Sequence, residues 1–240
     1  MVDPRASIVN ERLRGVRRII AVSGGKGGVG KSLFASTFAL VLARKGFRVG
    51  LFDLDFTSPS THTILGVQEL QPREEKGIIP PQFQGLEYMS IVYYSGDHAT
   101  PLRGTDVSDA LIELLAIVRW GKLDYLILDM PPGIGDATLD LVRLIERIEF
   151  LIVTTPSQLA FETVKKLARL LQTLKVRVIG VVENMELAHS DTIKQETKTL
   201  DLAFIGEIPF DTGIEETIGK TDKLLNTVFA EKVKQLALKI

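Results

Sequence analysis

The chain alternates short, almost wholly apolar runs with longer segments in which apolar residues recur at helical spacing. Seven runs read as strands: 19–22, 49–53, 88–92, 125–129, 150–154, 176–182 and 203–205. They lack the in/out alternation of half-exposed strands, which is the signature of strands covered on both faces. Between them, Val107, Ala110, Leu111, Leu114, Leu115 and Val118 fall at i, i+3, i+4, i+7 spacing. Phe161, Val164, Leu167, Ala168, Leu171 and Leu174 form a second stripe, with Lys165, Lys166, Arg169 and Gln172 largely opposite. This order predicts an α/β fold: a doubly wound, mostly parallel sheet flanked by helices, in one domain over 1–240. The segment 68–85, rich in Pro, Gln and charge, is expected to be a long loop, and 1–17 a basic arm or helix.

Composition narrows the chemistry. With 29 Lys and Arg against 30 Asp and Glu, the net charge is −1, so a whole-chain basic footprint for nucleic acid is absent. Residues 150–240 carry 12 basic and 12 acidic side chains, and the five arginines among the first 22 residues amount to a small arm. The longest apolar run, 38–43, falls far short of the roughly 20 residues a membrane-spanning helix needs. Nor does the N-terminus resemble a secretion signal, so the expected location is cytoplasmic. The 240 residues contain no cysteine, which removes disulfides, thiolate zinc sites and self-supplied cysteine ligands for an iron–sulfur cluster. His62, His98 and His189 share no metal-ligand spacing.

One stretch dominates the candidate chemistry. Gly25-Lys26-Gly27-Gly28-Val29-Gly30-Lys31-Ser32 satisfies G-x-x-x-x-G-K-[ST], after a predicted strand and before the stripe Phe34, Phe38, Val41, Leu42. Glycines let successive backbone N–H groups turn toward phosphate oxygens, and the following helix adds its positive dipole end. Lys31 supplies charge to the β- and γ-phosphates, and the Ser32 hydroxyl can ligand Mg²⁺. Asp129 ends an apolar strand, as a Walker-B carboxylate does, and is a candidate Mg²⁺ ligand directly or through water. Asp53 and Asp55 follow the strand 49–53 at the same expected crevice; the competing reading of each is helix or turn capping.

Lys26, five residues before Lys31, makes the loop resemble the deviant Walker A motif of the MinD/ParA class of dimeric P-loop ATPases. The resemblance implies that Lys26 reaches across a homodimer interface to the partner's nucleotide, like an arginine finger worth roughly 10³–10⁵ in rate. A solvated loop lysine is the alternative.

Within that class the chain resembles the Mrp (ApbC-like) family of iron–sulfur cluster carrier ATPases. The likeness rests on Gly15-Val16-Arg17, Asp53-Leu54-Asp55 with Pro59-Ser60, Met89-Ser90, Arg103-Gly104 and Trp120-Gly121. It continues through Pro131-Pro132-Gly133-Ile134-Gly135-Asp136, Gly180-Val181-Val182-Glu183-Asn184-Met185 and Gly206-Glu207-Ile208-Pro209-Phe210-Asp211. The resemblance implies that Asp55 orients the attacking water and that Asp53 supports Mg²⁺ and the first switch. It further implies that Asn184 and the Pro209 loop hold adenine, and that Asp136 couples the γ-phosphate to the second switch.

Two departures stand out. Leu33 replaces the usual threonine, removing one donor to the α-phosphate, and Glu186-Leu187-Ala188-His189-Ser190-Asp191 stands where the family has its C-x-x-C. The expected activity is therefore a Mg²⁺-dependent ATPase, a homodimeric switch that is slow without a partner and carries no cluster of its own. It would assist cluster assembly indirectly, through an unidentified protein partner. A MinD-like membrane cycle is the runner-up; it would use the helix 228–240, whose stripe Phe229, Val233 and Leu236 is better suited to packing on the domain. A ParA-like DNA partitioner ranks below it. The guanine-motif likeness at Gly219-Lys220-Thr221-Asp222 lacks the asparagine and is attributed to chance.

Overall fold

The computed structural model describes residues 4–95, 105–187 and 191–240. Its strands are β1 Val16–Gly24, β2 Val49–Asp53, β3 Arg73–Glu74, β4 Ile78–Ile79, β5 Gln82–Phe83, β6 Leu86–Ser90, β7 Leu123–Asp129, β8 Ile148–Thr154, β9 Arg177–Glu186 and β10 Phe204–Pro209. Its helices are α1 Pro4–Arg12, α2 Lys31–Arg44, α3 Thr61–Leu65, α4 Val92–Ser95, α5 Thr105–Ile117, α6 Asp136–Leu144, α7 Gln158–Thr173, α8 Thr192–Thr199, α9 Thr221–Leu224 and α10 Val228–Leu236.

Eight strands form one sheet in the order β10-β9-β8-β1-β7-β2-β6-β5, parallel except where β5 pairs antiparallel with β6. Central β1 is buried from Ile19 to Gly24, and β8 is buried throughout. Their lack of alternation follows from cover on both faces. On one face α1, α5, α6 and α7 enclose a core that includes Val9, Leu115, Leu141 and Leu167. On the other face α2 and α10 bury Phe34, Phe38, Phe229 and Val233. Every residue of α2 from Phe34 to Leu42 is buried, as suits a helix apolar nearly all round.

All seven expected strands are present, and the differences have local causes. The strand expected over 88–92 begins at Leu86 and stops at Ser90, whose Oγ accepts from Val92 N and starts α4. The strand expected at 203–205 runs on to Pro209, because Gly206 and Glu207 continue the pairing with β9. The segment 68–85 carries β3, β4 and β5, and β5 closes one edge of the sheet. At the N-terminus, Val9 and Leu13 of the basic segment are buried, so the segment is anchored in the core. Leu174 lies beyond the end of α7 and is exposed, unlike the other five residues of its stripe. His98, Arg103, Gly104 and His189 lie outside the described residues.

Candidate functional site

Parallel strands align their carboxyl ends, and the candidate residues gather there. Gly24 ends β1, the glycine-rich loop follows, and α2 begins at Lys31. In register, Asp129 of β7 lies beside Val22 of β1 on one side and Asp53 of β2 on the other. Two buried carboxylates therefore share one rung next to the loop.

The loop needs glycine for two separate reasons. Gly30 has φ 79°, and a Cβ there would collide with the Asn184 amide. Gly25 sits against α7, where a Cβ would come within 2.9 Å of Thr163 Cβ and 3.0 Å of Ala160 O. The loop is thus wedged between β9 and α7, with Asn184 Nδ2 donating to Val29 O at 2.9 Å. Val29 is buried, whereas Lys26, Gly27 and Gly28 are exposed at the rim.

Lys31 Nζ lies 2.6 Å from Asp129 Oδ1 and 3.0 Å from Ser32 Oγ. Burial pushes the Asp129 carboxyl up to about 7, Lys31 pulls it down, and neighbouring Asp53 pushes it further up. Its Oδ2 is buried without a hydrogen-bond partner. That atom, with Ser32 Oγ close by, is the donor set a Mg²⁺ ion would complete, since this ion takes one or two protein oxygens and the rest from phosphate and water. Among the described residues there is no group of three or more His, Cys, Asp or Glu able to hold a metal by itself.

Asp53 has a different occupation. Its Oδ1 accepts from Asp55 N at 3.1 Å, and its Oδ2 accepts from Ser60 N, Thr61 N and Thr61 Oγ1 at 3.2, 3.1 and 2.6 Å. The carboxylate thus caps α3 and ties down the loop 54–60, the capping alternative weighed from sequence. Burial pushes its pKa up, and these hydrogen bonds oppose the shift. Asp55 Oδ1 accepts from Thr57 Oγ1 at 2.8 Å and Ser58 N at 3.1 Å; its Oδ2 makes neither contact.

Two members of this network were not singled out from sequence. Thr61 Oγ1 sits 2.8 Å from Tyr88 OH, and Tyr88 is fully buried in β6. The Pro59-Ser60-Thr61 turn carried a signal, because Ser and Thr favour helix starts. Tyr88 carried none, since a tyrosine in an apolar strand reads as core.

The second expected switch lies close by. Gly133 N donates to Gly24 O at 3.2 Å, which ties 131–135 to the end of β1, and Asp136 is exposed as the first residue of α6. Beside the loop, a cavity of about 360 Å³ is lined by Gly30, Leu33, Asn184, Met185, Pro209 and Phe210 among others. The residues expected to hold a base therefore meet in one place. Met185 takes φ 61°, an unusual backbone conformation for its type, next to that cavity.

Strand, glycine-rich loop, helix and acidic neighbouring strand end recur in known structures. The chain superposes on a nucleotide-binding protein from Archaeoglobus fulgidus in complex with ADP, with a TM-score of 0.79, 28% identity, and 95% and 96% of the two chains covered. The cell division ATPase MinD of Pyrococcus furiosus shares the fold at a TM-score of 0.69 and 20% identity, covering 93% and 98%. The architecture is that of a P-loop NTPase of the MinD/ParA type. A family model described as ParA, NUBPL iron-transfer P-loop NTPase, matches residues 15–240, and the chain belongs to that family. An iron–sulfur cluster carrier protein of Pseudomonas fragi is 43% identical over 178 residues, 72% of this chain and 62% of that protein. One from Aquifex aeolicus is 35% identical over 229 residues, 89% of this chain and 62% of that protein. The chain thus spans about three fifths of the length of these relatives.

Proposed function

We propose that this chain is a Mg²⁺-dependent ATPase that works as an ATP-gated homodimer and serves iron–sulfur cluster assembly through a partner that supplies the thiolates. The observation that carries the reading is the convergence, at the carboxyl ends of β1, β7 and β2, of Lys31, Asp129 and Asp53 beside the glycine-rich loop, with Asp55 two residues beyond β2. Lys31 and the loop N–H groups would hold the phosphates. Asp129 Oδ2 and Ser32 Oγ would hold Mg²⁺, which when bound neutralises charge on the phosphate oxygens. Asp53 keeps the first switch loop in place, and Asp55, braced by Thr57 and Ser58, is left to orient water. Its role there is positioning, because phosphoryl transfer depends mainly on alignment and charge.

Asn184 is the candidate for reading the base. Asn184 gives one N–H of Nδ2 to Val29 O, which leaves its second N–H and the acceptor Oδ1 to meet the edge of a base. In this reading Oδ1 would accept from the amino group of adenine. The apolar lining of Leu33, Met185, Pro209 and Phe210 suits the faces of a purine.

The homodimer draws support from the rim. Exposed Lys26 is flanked by apolar side chains that remain in solvent: Ile134 in the loop tied to Gly24, and Leu159 in the first turn of α7 beside Gly25. Apolar residues clustered around a loop cation fit a surface that a second copy covers. Lys26 would then meet the partner's phosphates, and Asp136 would report the phosphate to α6. The membrane alternative loses support, because Phe229, Val233 and Leu236 of α10 are buried against α2 and β10. No helix among the described residues is long and apolar enough to cross a membrane.

Turnover of ATP and GTP measured by phosphate release, with Asp55→Asn as the control, tests the reading. Mg²⁺-dependent ATP hydrolysis that is lost in the variant is expected. Equal turnover of both nucleotides, or undiminished turnover in Asp55→Asn, contradicts it.

A further inference from the structure

The amino ends of the same strands carry a second feature. Between the starts of β1, β8 and β9 lies a groove of about 530 Å³. Five cations line it, Arg17, Arg18, Arg147, Lys175 and Arg177, in a chain whose net charge is −1. Sequence counting by segments concealed this cluster, because the cations come from three separate stretches that only the sheet brings together.

The groove is built in advance. Glu149, buried to 8% exposure, holds Arg18 Nε on Oε2 at 2.7 Å and Arg177 NH1 on Oε1 at 2.6 Å. The buried carboxylate thereby orients the Arg18 guanidinium, which also donates to Ile240 O, and it holds exposed Arg177 nearby by charge, which lowers the ordering cost when a ligand arrives. Arg17, Arg147 and Lys175 are exposed and form no ion pair among the described residues. Under the cations runs an apolar floor that includes Ile145 and Val176, with Leu174 standing 42% exposed at the edge.

We propose that this groove docks an acidic segment of a partner protein whose carboxylates meet the arginines and whose apolar side chains meet Leu174 and Val176. Charge complementarity selects an anion, and the planar fork of arginine matches carboxylates. The apolar floor selects protein over nucleic acid, since a phosphate backbone has nothing to place on it. Glu146 in the rim repels a uniformly charged polyanion, which cannot place an uncharged group beside it. A concave groove also does not lie flat on a bilayer. Arginines around an apolar centre are the composition of a protein interface. The groove lies about 23 Å from the phosphate loop along β1, at roughly 3.3 Å per residue, so its occupant leaves the nucleotide site free. The proposal rests on this end of the sheet alone and stands whether or not the ATPase reading holds.

Fluorescence anisotropy on the full chain tests it, with a labelled peptide alternating Glu-Glu and Leu as probe. A Gln-Gln-Leu counterpart, polyglutamate, a short DNA duplex and phosphatidylserine vesicles complete the set. The Glu-Leu peptide should bind most tightly, and the double variant Arg17→Glu, Lys175→Glu should weaken it at least roughly tenfold, since close interfacial charge pairs couple at this level or more. Both positions are exposed, so the variant should keep the wild-type melting temperature and nucleotide affinity. Absence of peptide binding, undiminished binding to the variant, or tighter capture of duplex or vesicles would each overturn the proposal.

Discussion

Lys31 Nζ and Asp129 Oδ1, separated by 98 positions in the chain, lie 2.6 Å apart with both side chains almost fully buried. A buried carboxylate without a counter-charge is expensive, so the pair places the loop lysine and the β7 carboxylate under mutual control. In the proposed mechanism a triphosphate would compete for this lysine, and drawing Lys31 away would free Asp129 for a cation.

Replacing the lysine should therefore have two effects. Lys31→Ala should weaken ATP binding by about 1.5–3 kcal/mol, roughly 10- to 100-fold in Kd, through loss of a charge-assisted contact. It should also leave Asp129 uncompensated, and the variant should be destabilised more at pH 8 than at pH 6, where the carboxyl can stay protonated. Titration calorimetry and thermal melts at the two pH values check this; an equal stability loss at both contradicts it.

Asp129 itself predicts a pH dependence whose sign is fixed by linkage. Its pKa is about 7 in the folded protein, against an ordinary carboxylate value of 3.8, so between these values the folded chain holds a proton that the unfolded chain releases. This contribution to stability is complete below pH 4 and is lost as pH rises through about 7. Relative to Asp129→Asn, which cannot ionise, the wild-type protein should lose melting temperature from pH 5 to pH 8. Parallel melting curves across that range would remove the assignment.

The Thr61–Tyr88 contact separates positioning from folding. Tyr88→Phe deletes one hydroxyl from the network that holds Asp53 and should cost about 1 kcal/mol of stability. Nucleotide affinity should persist, while turnover falls because the first switch loop loses its brace. A turnover equal to wild type, measured under saturating ATP, would show that the loop needs no support from β6.

Sheet, helix stripes and phosphate loop were legible in the sequence because each is a local pattern: unbroken apolar strands, i, i+3, i+4 spacing, and glycines at fixed offsets from Lys31. What the sequence could not display was the pairing across distance. Asp53 and Asp129 fall on one rung only through the β2–β7 register. Tyr88 looks like any core aromatic until Thr61 is placed beside it. The basic groove disappears in segment totals, since its cations are scattered over the first residues of β1 and β9 and the turns before β8 and β9. Cover also decides boundaries: Leu174 continues the apolar stripe of α7 in sequence, yet the helix ends first and leaves it exposed.

The missing thiols make a further prediction. Without cysteine in its 240 residues, the chain lacks the ligand type that stabilises iron–sulfur clusters. Anaerobic incubation with iron and sulfide, followed by desalting and visible absorption, should leave the protein colourless. A brown protein with stoichiometric iron and sulfide would contradict the indirect role.

The central claim, an ATP-gated homodimer, is tested most directly by light scattering on the Asp55→Asn protein. With turnover slowed and binding retained, Mg²⁺ and ATP should double the measured mass, ADP should not, and the added change Lys26→Ala should return it to that of one chain. An identical mass with and without ATP would contradict the account.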